Sequence, residues 1–158
     1  FWISSQPEEL VALLARVDLL TLNDGEARQL TGHANLVHAA RWILERGPRY
    51  VVIKKGEHGA LLFDRDAIFF APAFPLEQVF DPTGAGDSFA GGFMGWLART
   101  DDRAPGTLRR AVVYGSAMGS FAVEKFSFQR LLEVTPDELA RRVEDFRTLV
   151  SFDREMPA

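Results

Sequence analysis

The 158-residue sequence contains no cysteine, and that one absence removes several kinds of chemistry together. Without thiols there are no disulfides, no zinc–thiolate sites and no cysteine nucleophile. Histidine is scarce as well: His33, His38 and His58 show no metal-ligand spacing or nearby partner and read as surface residues. No apolar run approaches the ~20 residues that a membrane-spanning helix needs, and no signal-peptide pattern is visible at the start. Basic residues are outnumbered, with 18 Lys and Arg against 22 Asp and Glu, a formal charge of −4. No basic stripe stands out, which argues against nucleic acid as a partner. The expected setting is cytoplasmic, with no membrane partner.

What is present is ordinary for a globular chain: 47% hydrophobic and 25% charged residues, in a length that buries ~68–70% of its unfolded surface as one domain spanning residues 1–158. Phe1-Trp2-Ile3 reads as the tail of a buried strand. Pro7-Glu8-Glu9 opens a helix, its proline and acids suiting the free N–H groups of a first turn. Residues 18–22 form a short buried strand leading to Asn23, followed by a brief helix closed by Gly32. Asn35 caps the next helix, which Gly47-Pro48 ends. Residues 50–54, 60–63 and 67–71 read as strands, and 77–80 as another that runs into a glycine-rich loop. Residues 88–99 and 107–125 are helical, and Thr135-Pro136-Asp137-Glu138 is a capping box for a last helix. Trp42, Trp96, Phe89, Phe93, Phe121 and Phe146 are expected in the core. Strands alternating with helices imply an α/β fold, three-layered, with a mostly parallel sheet covered on both faces. In such sheets ligands bind beyond the carboxyl ends of the strands, where Asn23, Lys54 and the Gly84 loop are expected.

The most informative run is Asp81-Pro82-Thr83-Gly84-Ala85-Gly86-Asp87-Ser88-Phe89. Gly84, Ala85 and Gly86 leave their backbone N–H groups unshielded where a loop becomes a helix, a ready site for an anion such as phosphate. A carboxylate beside such a site repels the anion. Asp87 makes sense if it takes a proton from a neutral nucleophile that attacks the bound phosphate. A dinucleotide fingerprint would need a third small residue where Phe89 stands, and a Walker A loop would need Gly-Lys-Ser/Thr, which the sequence lacks. The plain structural alternative is that the glycines permit a tight turn and Asp87 caps a helix.

Asp81-x-Thr83-Gly84-Ala85-Gly86-Asp87-Ser88-Phe89 resembles the signature of the ribokinase-like, or PfkB, carbohydrate and nucleoside kinases. Asn23-Asp24-Gly25-Glu26 is similar to that family's N-x-x-E element, and Val51-Val52-Ile53-Lys54-Lys55-Gly56-Glu57-His58-Gly59 to a further segment. The three occur in the family's order. Members run to roughly double this length, with the sugar pocket and a small β lid in their N-terminal half, so the chain resembles the C-terminal half. The resemblance implies ATP and Mg²⁺ as cofactors and a small-molecule sugar, sugar phosphate or nucleoside as acceptor. It assigns Asp87 as general base and the Gly84, Ala85 and Gly86 amides as donors to the transferring phosphoryl group. Such donors are commonly worth ~2.7–4 kcal/mol each.

It also implies that Asn23 and Glu26 orient water on Mg²⁺, whereas the local pattern alone favours an Asn cap with Glu at the third helical position; the two roles can coexist. Lys54, Gly56 and Gly59 correspond to the segment that borders the nucleotide, although many relatives carry a hydroxyl residue at the place of Lys54, and a strand-end lysine in water is an equal reading. Asp24, Lys55, Glu57 and His58 read as surface charge. Ser116 and Gly119 lie where the family holds the adenine, or they let two helices pack closely. Asp81 and Thr83 match positions that help to bind a monovalent cation. The Gly-Ala-rich stretch that completes that site is replaced by Glu124-Lys125-Phe126-Ser127-Phe128. That departure weighs against K⁺ dependence, with Lys125 as an internal source of positive charge. Lacking the partners of its first strands, the chain is expected to expose sheet edge and to form a homodimer. Binding of nucleotide without turnover is the alternative function, and a plain scaffold the third.

Overall fold

The computed structural model describes residues 1–152, and the chain divides into two compact units, Phe1–Ala73 and Phe74–Ala158.

The first unit is built on a sheet of order β1-β2-β3-β4, with β1 at Leu19–Asn23, β2 at Tyr50–Lys54, β3 at Ala60–Phe63 and β4 at Ile68–Ala71. Only the β1–β2 pairing is parallel; β2–β3 and β3–β4 are antiparallel. The sheet is therefore mixed rather than mostly parallel in this stretch. Connection length explains it: a parallel return needs a crossover of a dozen or more residues. Two helices, α3 (Asp24–Thr31) and α4 (Leu36–Leu44), supply that between β1 and β2. Residues 55–59 and 64–67 are too short for anything but hairpins.

The helix ends follow their capping residues. Asn35 Oδ1 accepts from the N–H groups of Val37 and His38 at 2.9 and 3.2 Å, and Gly32 closes α3 at a φ of +73°, which costs glycine little. Leu14, from α2 (Pro7–Leu14), joins Leu22, Ala27, Ala39, Ala40, Ile43, Leu44, Val51, Ile53 and Phe63 in one core. The first residues differ from expectation. Trp2–Ser5 is a short helix, α1, and not a strand. Ser4 and Ser5 N–H both donate to the Phe1 carbonyl, and Ser4 Oγ accepts from Gln29 Nε2 at 2.8 Å, so local bonds replace a strand ladder.

The second unit is helical: α5 at Ala85–Thr100, α6 at Pro105–Ala122 and α7 at Pro136–Val150. The Thr135 capping box forms in both directions, Thr135 Oγ1 accepting from Glu138 N and Glu138 Oε2 from Thr135 N. Close approach of α5 and α6 rests on glycine. A Cβ at Gly115 would come within 2.8 Å of the Phe89 carbonyl oxygen, and one at Gly92 within 2.7 Å of the Tyr114 carbonyl oxygen. Phe89, Phe93, Phe121 and Phe146 are buried as expected; Trp42 and Trp96 are half-buried, with Trp96 stacked on Tyr114 at 4.1 Å. Residues 77–80 form no strand. Among the described residues, their one long-range backbone bond runs from Phe80 N to Val123 O at 2.8 Å, and no described strand offers them a ladder.

Candidate active site

In the first unit, β1 delivers Asn23 to the first turn of α3. Asn23 Oδ1 accepts from Glu26 N, and Glu26 Oε2 accepts from Asn23 N, both at 2.7 Å. The pair is thus a true capping box, as the local pattern required. Asn23 is also the register partner of Lys54 in the parallel ladder, so both stand at the carboxyl ends of their strands. One oxygen of Glu26, Oε1, has no partner among the described residues. An outward carboxylate oxygen suits a water carried by Mg²⁺, an ion that keeps several waters and takes few protein ligands. Direct chelation is a different matter: among the described residues no group of three His, Cys, Asp or Glu could hold a metal. Asp24 forms an i,i+4 ion pair with Arg28, and this guanidinium holds its carboxyl below the usual range.

Past Lys54 the chain turns sharply. Gly56 has a φ of +55° with open space around it, while Gly59, at +84°, is buried. A Cβ on Gly59 would lie 2.1 Å from the Ala71 carbonyl oxygen. Its glycine is required by backbone packing against β4, whatever else it does. His58 faces Glu57 at 3.6 Å on the surface, and His33 and His38 meet edge to face at 6.1 Å, so these histidines are exposed but not without neighbours.

In the second unit, Pro82-Thr83-Gly84-Ala85 forms a turn. Ala85 N donates to Pro82 O at 3.2 Å, and Gly84, with φ and ψ of 81° and −2°, sits in the left-handed third position of a type II turn. This corrects the expected anion hole: the Ala85 amide is engaged by the protein's own carbonyl. Among the described residues, no acceptor faces the N–H groups of Gly84, Gly86 or Asp87. Asp87 N, third in the helix, was missed from the sequence, although the first N–H groups of any helix are orphans. Its signal was position alone. The Asp87 carboxylate is exposed, in the first turn of α5, and no described group pairs with it.

Asp81 is tied on both sides. Oδ1 accepts from Thr83 N at 2.9 Å and Oδ2 from Ser127 N at 3.3 Å. Bonds from Thr83 first, then Ser127, hold the Asp81 carboxyl below the usual range. Lys125 does not supply positive charge here, which corrects that expectation: its Nζ is bound by both oxygens of Glu133 at 2.7 and 2.6 Å. A cleft of about 440 Å³ has Asp81, Thr83, Gly84, Ser88, Phe126, Ser127 and Phe128 among its lining residues. Ala85, Gly86 and Asp87 do not line it. Gly119 faces α5, where a Cβ would stand 3.3 Å from the Ala85 carbonyl oxygen; close helix packing accounts for it. Ser116 is half-buried on the same helix.

Comparison with known proteins agrees with this frame. The model of the pfkB family carbohydrate kinases matches residues 1–134. The chain is 40% identical over 89 residues to a cytidine kinase of Thermococcus kodakarensis, covering 55% of this chain and 32% of that one. It is 32% identical to an aminoimidazole riboside kinase of Salmonella typhimurium, covering 74% and 36%. Among solved structures, aminoimidazole riboside kinase from Salmonella enterica, complexed with aminoimidazole riboside and an ATP analog, superposes with a TM-score of 0.76 at 30% identity, covering 87% of this chain and 46% of that one. A putative ribokinase II from E. coli in complex with ATP and Mg²⁺ gives 0.69 at 27%, covering 89% and 42%. The chain spans about a third of the curated relatives' length and less than half of these solved chains. The fold is ribokinase-like, and the chain belongs to the pfkB family of carbohydrate kinases.

Proposed function

We propose that residues 1–158 are the nucleotide-binding and catalytic part of a ribokinase-like kinase, which transfers the γ-phosphoryl group of ATP to a hydroxyl of a sugar, sugar phosphate or nucleoside. One observation carries the reading. Among the described residues, the amides of Gly84, Gly86 and Asp87 have no acceptor at the start of a 16-residue helix, beside a carboxylate that no described group neutralises. Open donors at the positive end of a helix favour an anion.

The Asp87 carboxylate accepts the proton of the attacking hydroxyl. The alcohol oxygen bonds to the γ-phosphorus while the bond to the β–γ bridging oxygen breaks, releasing ADP. The Gly84 and Gly86 amides donate to the equatorial oxygens, where charge is greatest at the transition state. Lys54 and the Gly56 turn border the nucleotide, and Ser116 lies toward its base. Glu26, through its outward oxygen, and Asn23 orient the hydration shell of the ion that accompanies the nucleotide. When bound, Mg²⁺ draws charge from the phosphate oxygens.

Nucleotide binding without turnover is the second reading, favoured by the place of Asp87 outside the cleft lined by Asp81, Thr83 and Gly84. Calorimetric titration with MgATP tests the shared part: a silent titration removes both readings. Coupled ADP-release assays across sugars and nucleosides then separate them, since heat of binding with no acceptor-dependent ADP leaves the second alone.

A further inference from the structure

We propose that residues 125–129 are a clamped strap whose Ser127 amide takes the place of a monovalent cation beside Asp81 and fixes the turn that presents the Gly84 amide. The proposal deepens the functional reading, because it says how the anion-binding turn is held, but its mechanical part stands on contacts independent of that reading.

The strap begins and ends in an ion pair. Glu124, directly before it, accepts from Arg130 Nε at 2.9 Å through Oε2, and Arg130 directly follows it. The other oxygen of Glu124 accepts from Arg142 Nη2 at 2.7 Å, while Arg142 Nη1 donates to Ser120 Oγ at 2.7 Å. Both guanidiniums are largely withdrawn from water, at 14% side-chain exposure. Arg142 stacks over the rings of Phe121 and Phe74 at 4.0 and 4.2 Å. Arg130 also reaches Glu138 Oε1 at 2.8 Å. The neck of the strap is thereby fixed to α6 and α7 by charge-assisted bonds, the stronger kind in a partly dry setting.

Its tip is fixed to the loop. Ser127 adopts a φ of +57°, uncommon for a residue with a side chain, and its N–H reaches Asp81 Oδ2. Asp81 Oδ1 in turn holds the Thr83 amide, inside the turn that carries Gly84. A continuous line of bonds therefore runs from Arg142 and Arg130 through Glu124, the strap and Asp81 to the phosphate loop. The residues do not fit the monovalent cation that family resemblance places here. A cation needs a ring of oxygen ligands, whereas the strap turns an amide hydrogen and not an oxygen toward Asp81. Glu124, Arg130 and Asp81 are positioning residues; none is placed against substrate.

Chymotrypsin digestion of the wild-type chain tests this directly, since Phe126 and Phe128 are exposed on the strap. Cleavage there, located by mass spectrometry, should proceed at one rate in potassium chloride and in choline chloride at equal ionic strength. The same cuts should be about fivefold faster in Asp81→Asn and in Glu124→Gln, in both salts, because losing one bond raises the opened population. Affinity for a non-hydrolysable ATP analogue with Mg²⁺ should likewise ignore potassium in the wild type and weaken about fivefold in Asp81→Asn. Selective protection by potassium, or wild-type cleavage rates in both variants, overturns the strap. A wild-type chain that binds no analogue defeats the nucleotide reading instead, and the digestion still decides the strap. The potassium comparison needs no variant, so a substitution that fails to fold leaves that arm intact.

Discussion

Asn23 and Lys54 are paired across the parallel ladder of β1 and β2, each the last residue of its strand. Neighbouring strands lie ~4.8 Å apart, so an amide that begins a helix and an ammonium-bearing residue that ends a strand share one edge of the sheet. Glu26 is bound back to Asn23 by the capping box. A backbone device for starting α3 thus also brings a carboxylate to the sheet end where ligands of α/β folds collect.

The double use of Glu26 can be separated by Glu26→Gln. Glutamine serves the third position of a capping box as glutamate does, so the chain should lose no more than about 1 kcal/mol, from weaker interaction with the helix dipole. If Glu26 also orients hydrated Mg²⁺, the Mg²⁺ concentration for half-maximal ATP binding should rise several-fold. Urea denaturation reads the first effect and Mg²⁺ titration at fixed ATP the second. An unchanged Mg²⁺ midpoint reduces Glu26 to a cap.

Asp87→Asn separates binding from transfer. The side chain is exposed, with no described partner, so the fold should be unaffected. If the neighbouring amides hold phosphate as proposed, removal of the carboxylate should leave MgATP affinity equal or tighter. Acceptor-dependent ADP release should fall by about 10²- to 10⁴-fold, the usual contribution of a general base. Equal rates in the two proteins would take Asp87 out of the chemistry.

Elements with local chemistry at their ends were legible in the sequence. Asn35, Thr135 and Gly32 mark helix ends by bonds within four residues of themselves, and the structure makes those bonds. The short apolar runs at 50–54, 60–63 and 67–71 were legible as well, as strands β2, β3 and β4. Those at residues 1–3 and 77–80 were not, because two or three apolar residues suit a strand, a helix or a loop equally. Hence Trp2–Ser5 is helical, and residues 77–80, with Val79 and Phe80 exposed, are irregular. The loop residues were found by type, but the engagement of the Ala85 amide depends on the left-handed φ of Gly84, which no residue name specifies. The Glu124–Arg130–Arg142 cluster was invisible for another reason. Its partners lie 6 and 18 residues apart, beyond any helical spacing.

Gly59→Ala should expose how much of the Gly56–Gly59 turn is structural. A methyl group there has a φ of +84° and a fixed carbonyl oxygen 2.1 Å away. Backbone must move, at a cost of about 2–4 kcal/mol. Gly56→Ala meets only the left-handed conformation, in open space, and should cost about 1 kcal/mol. Thermal and urea unfolding of the two variants check the ranking. Comparable losses would mean that the turn relaxes and that Gly59 is not required by packing.

Acid should act on the second unit through Glu138. The Arg130 guanidinium foremost, with bonds from Thr135, lowers its pKa from the usual 4.5 to about 2. A carboxyl whose pKa is depressed by folding binds fewer protons folded than unfolded in the range between the two values, so its stabilisation is complete above 4.5 and is lost as the pH falls to about 2. Arg130 stays charged throughout, its own pKa being raised chiefly by Glu138. Urea unfolding between pH 6 and 2 should therefore show the wild type losing stability more steeply than Glu138→Gln, with the gap between them widest at pH 6 and closing toward pH 2. Parallel curves across that range would mean that the Arg130–Glu138 pair contributes nothing to the folded state in water, and that the strap's neck is held by Glu124 alone.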